Sequence, residues 1–317
     1  MNIYIRKKHY KNFHYYDSKQ KILKDQKKLA LIKSYVIPPA WTNVVINLSS
    51  KDIFATGYDE AGRKQYRYTI AHNNRVSKQK YCNLIHLGNE IGNIKKVIQK
   101  HLKKQDFNNP DFYISIILKI ILICNFRIGI DKNVEKYNSY GISTIQKKHI
   151  KVNNKELTIE FNGKKGVFNS CIINEPLIIQ IMNKLYKQRK NTVFIINDKK
   201  IGINQVNSFL HSFNPNISSK DFRTWNSNNI CSNLLLQQPN YPESINQRKK
   251  VFKDIVGEVA KKLHHTEAVC KKKYLDMNLY TMYLENPGEF YKLGKKRKYK
   301  YLSPGENLFM NYLHTIC

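Results

Sequence analysis

"YVIPPAWTNVVINL", residues 35–48, decides how the chain begins. Pro38 and Pro39 lack backbone N–H groups and block a helix, and the β-branched Val44, Val45 and Ile46 that follow favour a strand. Downstream, "IFATGYDEAGRKQYRYTI" (53–70) reads as strand, glycine-containing turn, strand. Within it, Gln65 and Arg67 alternate against Tyr66 and Tyr68. Residues 1 to about 75 are therefore expected to be strand-rich. Arg63, Lys64, Gln65, Tyr66 and Tyr68 interleave cations with aromatics, which suits a surface tracking a phosphate backbone. An ordinary solvated hairpin carries the same pattern.

From about residue 84 the period changes. "IGNIKKVIQKHL" (91–102) places Ile91, Ile94, Val97, Ile98 and Leu102 on one stripe, as an amphipathic helix does. "FYISIILKIILICNF" (112–126) reads as a buried helix; it is too short for a membrane span and is interrupted by Lys119. "HIKVNNKELTIEFNGKKGVFNSCII" (149–173) returns to alternation, with turns at Asn153–Asn154 and at "NGKKG". Helices resume near residue 176, and "VFKDIVGEVAKKL" (251–263) forms a core-facing helix running up to His264 and His265. Thr266 is a good N-cap for the helix that follows. The simplest division is a small β-rich domain at 1–78 and a larger, mainly helical domain at 79–317, an α+β protein.

Charge narrows the partner. The 317 residues hold 55 Lys and Arg against 23 Asp and Glu, a net charge of +32 spread from Arg6 to Lys300. A polyanion is the expected partner, and nucleic acid is the commonest one. The N-terminus lacks an apolar secretory core, so an intracellular protein is expected. Cys82, Cys124, Cys171, Cys231, Cys270 and Cys317 show no CxxC pair, which suits reduced thiols and argues against zinc or disulfides.

Four stretches carry candidate chemistry: "CNFRIGI" (124–130), "EFNGKKG" (160–166), "KDFRTW" (220–225) and "LHHTEAVCKKKYLD" (263–276). "NGKKG" lacks the GxxxxGK[ST] spacing of a phosphate-binding P-loop. In the last stretch, Lys271, Lys272 and Lys273 run directly into Tyr274, nine residues after His265. A phenol titrates near pH 10, so cations beside it favour the phenolate and make it a better nucleophile. Singly, each stretch has a structural explanation: a salt-bridged arginine, a solvated turn lysine, a capping histidine.

Together their order resembles the DNA topoisomerase IB family, above all its compact poxvirus, giant-virus and bacterial members. The pattern is Arg127, Lys164 in a hairpin, Lys220-x-x-Arg223, His265-Thr266, then Tyr274. "IPPAW", "ATGYDEAGRKQYRY", "NSYGISTI" (138–145) and "LSPGENLFMNYL" (302–313) extend the likeness over nearly the whole chain. The resemblance implies a catalytic domain of the tyrosine recombinase and topoisomerase IB fold. It implies that Arg127, Arg223 and His265 clamp a scissile phosphate and that Lys164 protonates the leaving 5′ oxygen. Lys164 is preferred to Lys165 because it directly follows Phe-x-Gly. Tyr274 would attack phosphorus and form a 3′-phosphotyrosyl link that reseals without ATP or an essential metal. The partner would be double-stranded DNA clamped by a monomer, contacted also by Lys132 and Lys220, wherever that DNA resides. His264, Glu267 and Met277 depart from the family's usual residues beside the catalytic positions.

Two other functions share parts of this pattern. A tyrosine site-specific recombinase uses the same five residue types, but it usually has His-x-x-Arg where this chain has Lys220-x-x-Arg223, and a helical rather than β-like N-terminal domain. A non-catalytic basic DNA-binding protein would not need all five residues.

Overall fold

The computed structural model describes residues 2–238 and 242–317. Two compact units divide it, Met1–Lys80 and Tyr81–Cys317.

The first unit is a five-stranded antiparallel sheet with one helix. In chain order it contains β1 (Ile3–His9), β2 (Asn12–Tyr16), α1 (Gln26–Ser34), β3 (Thr42–Asn47), β4 (Ile53–Tyr58) and β5 (Lys64–Tyr68). The spatial order is β2-β1-β3-β4-β5. Tyr4, Ile32, Val44, Ile46, Phe54 and Ala55 form its core. Only the second half of "YVIPPAWTNVVINL" is strand, because the two prolines cannot donate to a ladder. One buried guanidinium satisfies the loop carbonyls instead: Arg6 donates to Pro38 O at 3.1 Å and to Trp41 O at 2.6 Å. On β5 the alternation holds, with Lys64, Tyr66 and Tyr68 exposed and Gln65 and Arg67 turned inward.

The long helix α2 (Ile70–Lys104) begins well before the expected residue 84. Its first turns, "IAHNNRVSKQK", are too polar to show an apolar period. They contain no Gly or Pro, and the Thr69 hydroxyl caps them by accepting from the His72 N–H at 3.1 Å.

The second unit continues with α3 (Pro110–Cys124) and α4 (Asp131–Tyr137). A three-stranded sheet follows, built from β6 (Ile150–Val152), β7 (Leu157–Asn162) and β8 (Phe168–Ile173), then α5 (Pro176–Tyr186). A short hairpin, β9 (Ile195–Ile196) and β10 (Lys199–Lys200), leads into α6 (Ile203–His211) and α7 (Asp221–Leu236). The rest is helical: α8 (Ile245–Lys262), α9 (Glu267–Lys273), α10 (Met277–Glu285), α11 (Pro287–Lys295) and α12 (Pro304–Ile316).

Helix α7 has almost no amphipathic pattern because it runs through the core, with Phe222 to Asn228 all buried. Helix α12 packs along it. There Glu306 closes a capping box with Ser303 and accepts from Trp225 Nε1 at 2.9 Å and Lys95 Nζ at 3.0 Å. That network accounts for "LSPGENLFMNYL".

The cysteines correct the expectation of reduced thiols. Cys82 is bonded to Cys317 and Cys124 to Cys171, leaving Cys231 and Cys270 as buried thiols. The partners lie 235 and 47 residues apart, so no local spacing could reveal them.

Candidate active site

Arg127 stands on an extended segment just beyond α3. The helix stops because Asn125 turns left-handed (φ 57°), and its side-chain oxygen accepts from Asn226 Nδ2 at 3.0 Å. The segment is then gripped by the "NSYGISTI" loop. Ile142 N donates to Arg127 O at 2.9 Å, and Gly129 N donates to Ser143 Oγ at 3.1 Å. A Cβ on Gly141 would collide with the backbone of Gly129 and lie 2.6 Å from Arg127 O, so only glycine allows this approach.

Arg223 lies on the first turn of α7 and is 3% exposed. Its Nη2 donates to Leu263 O at 2.8 Å, while its Nε and Nη1 have no hydrogen-bond partner among the described residues. Between α8 and α9 the chain turns at His264 (φ 56°), whose Nε2 lies 3.1 Å from Cys124 O. A carbonyl only accepts, so Nε2 carries the proton. This departure from the family pattern therefore ties the histidine turn to the end of α3. His265 follows, its ring stacked on that of Tyr274 at 4.7 Å and 15°, with both ring nitrogens buried and without a hydrogen-bond partner among the described residues.

Thr266 caps α9 as expected, but Tyr274 is the C-cap residue and not inside the helix. The Tyr274 hydroxyl accepts from Arg127 Nη2 at 2.9 Å, and Arg223 Cζ lies 5.2 Å from its ring. Helix α7 fixes the tyrosine's backbone through Asn228, a residue that no motif or spacing singles out. Asn228 Nδ2 donates to Tyr274 O at 2.9 Å, and its Oδ1 accepts from Asp276 N at 3.0 Å. Tyr81 Oη adds a 2.6 Å bond to Leu275 O.

These positions correct the source of the charge around the phenol. Lys272 and Lys273 are exposed, and Lys271 Nζ lies 5.9 Å from the Phe252 ring. Tyr274 is half-buried against the apolar core, and the cations beside its oxygen are the two arginines. Burial is the largest single influence and would raise the phenol. Arg223 and Arg127 together outweigh it and hold Tyr274 below its ordinary value. Burial, reinforced by the same arginines, pushes His265 down to about 4. Arg223 itself is lowered to about 10, first by burial and then by Arg127.

The fifth residue is elsewhere. Lys164 is exposed in the turn joining β7 to β8 and makes no hydrogen bond or ion pair among the described residues. Lys165 beside it adopts φ 65°, so the two lysines point from differently twisted backbone. Arg127, Arg223, His265 and Tyr274 are thus brought together, and Lys164 is not. Lys132 is exposed on the first turn of α4, and Lys220 is exposed at the N-cap of α7, three residues before Arg223.

In the first unit, Tyr66 and Tyr68 stack at 6.2 Å, Tyr68 and His72 at 4.6 Å, and Lys64 Nζ sits 5.9 Å from the Tyr66 ring. Arg63 and Gln65 are engaged by Asp59, at 2.8 and 2.9 Å. Among the described residues no three His, Cys, Asp or Glu side chains gather as a metal site, and no helix is long and apolar enough to cross a membrane.

Comparison with known proteins gives this constellation its context. Residues 70–293 match the model of the eukaryotic DNA topoisomerase I catalytic core, and residues 12–59 match the bacterial DNA topoisomerase IB N-terminal domain. The chain is 30% identical to DNA topoisomerase 1B of Acanthamoeba polyphaga mimivirus, over 88% of this chain and 86% of the relative. It is 23% identical to DNA topoisomerase 1B of vaccinia virus strain Copenhagen, over 78% and 79% respectively. With its catalytic-core match covering most of its length, the chain belongs to the type IB DNA topoisomerase family.

Proposed function

We propose that this topoisomerase relaxes duplex DNA by cutting one strand through Tyr274 and resealing it. The observation that carries the assignment is the Arg127 guanidinium bonded at 2.9 Å to a phenol already held below its ordinary pKa. Once DNA enters, the unpartnered donors of Arg223 and His265 offer hydrogen bonds to non-bridging phosphate oxygens. Negative charge concentrates on those oxygens as the phenolate attacks phosphorus, so fixed cations stabilise the transition state more than the ground state.

The 5′ oxygen must leave with a proton. Lys164, on its exposed turn, is the acid we assign, reaching the leaving group when the hairpin closes on DNA. The product is a 3′-phosphotyrosyl ester and a free 5′ hydroxyl. One phosphodiester bond has been exchanged for another, so the reverse attack reseals the strand without ATP. The arginines supply the positive charge that a divalent ion would otherwise bring, so no metal is required. The exposed face of β5, with Lys64, Tyr66 and Tyr68, and the cations Lys132 and Lys220 are the surfaces we assign to the duplex, bound by a monomer.

Relaxation of a supercoiled plasmid in EDTA without ATP tests this, with denaturant added to trap the covalent adduct. Peptide mapping should place the adduct on Tyr274 and on a 3′ DNA end. An adduct on another tyrosine, or on a 5′ end, would overturn the assignment. Recombination of paired sites without relaxation would favour a site-specific recombinase.

A further inference from the structure

We propose that the Cys124–Cys171 disulfide is an exchange site for a small anionic thiol, and that opening it unties the Lys164 hairpin from the arm carrying Arg127. The inference rests on Lys164 being the general acid. Both cysteines line an open cavity of about 650 Å³, with Asn125, Asn226, His264, Lys261 and Lys262 also on its walls. Cys124 is buried and Cys171 is half-exposed, so an incoming thiolate reaches Cys171 first. Lys262 is paired with Glu258 at 3.0 Å, whereas Lys261 has no ion pair among the described residues and is free to meet a carboxylate. An acidic thiol such as glutathione fits that combination of sulfur and cation.

The exchange balances without other reactants. A thiolate RS⁻ attacks Cys171 Sγ, the bond to Cys124 breaks, and Cys124 leaves as a thiolate that takes up a proton. A second thiol attacks the mixed disulfide and releases RSSR, leaving two protein thiols. The bond lies between the two arms of the site. Cys124 ends α3, three residues before Arg127, and its carbonyl holds the His264 ring. Cys171 is on β8 opposite Ile159, and three pairs further along the same ladder the strands reach the turn that holds Lys164. Breaking the bond leaves the phosphate clamp in place and removes the covalent link that limits how far the acid-bearing hairpin swings.

Single-turnover cleavage after equilibration in glutathione buffers of stepped redox ratio tests this, with alkylation and peptide mass analysis reporting the state of each cysteine. Reduction of Cys124 and Cys171 should slow cleavage of ordinary DNA roughly tenfold, as expected for a loosened catalytic group. A substrate with sulfur at the 5′ bridging position needs no acid, so its rate should change less than twofold. Cys124→Ser/Cys171→Ser should cleave at the reduced rate and ignore redox ratio; a redox response persisting in it would assign the effect to Cys82–Cys317 and overturn the proposal. Lys261→Ala should slow opening by glutathione several-fold more than opening by uncharged 2-mercaptoethanol, and equal slowing would remove the anionic-thiol assignment. Lys164→Ala separates the two readings. If sulfur does not rescue it, Lys164 is not the acid; if sulfur rescues it while ordinary cleavage ignores redox state, the tether alone fails.

Discussion

Two parts of the proposed active site differ in how far they are built before DNA arrives. The arginines, His265 and Tyr274 are packed together on the end of α3, on α7 and around α9, with Arg127 already bonded to the phenol. Lys164 waits on an exposed turn with no hydrogen bond or ion pair among the described residues. The difference follows from cost. Buried guanidinium and imidazole donors need a rigid shell to hold them unpaired, and α7 supplies it through Asn226 and Asn228. A solvated lysine needs no such shell, but it must move to act. Under the proposed mechanism, nucleophile and clamp are preorganised, and proton delivery is left to a hairpin.

The largest break in that comparison is Tyr274→Phe. It removes the attacking oxygen while leaving the basic surface intact, so relaxation and adduct formation should fall to background with duplex binding retained. Arg223→Ala should cost roughly 3–4 kcal/mol of transition-state stabilisation, a fall of about 10²–10³-fold in single-turnover cleavage. Gly141→Ala tests whether the clamp's rigidity matters. It would push the loop off the Arg127 segment, and a displacement of about 1 Å should cost roughly 10²-fold in cleavage with little change in DNA affinity.

Site choice is a finer probe. Just beyond Arg127, the first turn of α4 offers little to a base edge: Ile130 at its N-cap is apolar, and Asn133 carries one side-chain amide. With few base-reading donors there, each worth about 1–3 kcal/mol, cleavage-site preference should be loose while phosphate contacts keep binding strong. Mapping covalent cleavage sites on mixed-sequence duplex checks this, and a single sharp cleavage site would contradict it.

The smallest effect is on stability. Burial depresses His149 to about 4, and burial with Arg223 and Arg127 does the same for His265. The unfolded chain binds those protons near pH 6.5, so the contribution is present above about pH 6.5 and is lost as pH falls toward 4. Denaturation midpoints measured across that range should fall with acidification, and His265→Gln should flatten the slope.

Much of this was legible in the chain because local signals coincide with chemistry. "KDFRTW" and the nine-residue step from His265 to Tyr274 are sequence-local, and "IPPAWTNVVINL" and the β7–β8 alternation announce strands by their own period. What stayed hidden depends on contacts distant in sequence. The lysines before Tyr274 suggested the source of its charge, yet the cations at its oxygen come from 147 residues away in Arg127, and from α7. Asn228 acts across 46 residues and the disulfides across 47 and 235, the close approach at Gly141 leaves no periodic signal, and the early start of α2 is masked by a polar first stretch.

The most direct test of the contrast between a built clamp and a delivered acid is a pair of cleavage rates. Lys164→Ala and Arg223→Ala should be compared on duplexes with oxygen and with sulfur at the 5′ bridging position. Sulfur leaves without a proton, so it should restore Lys164→Ala close to the wild-type rate and leave Arg223→Ala impaired by about 10²-fold or more. Equal rescue of both variants, or rescue of Lys165→Ala in place of Lys164→Ala, would contradict the division of labour drawn here.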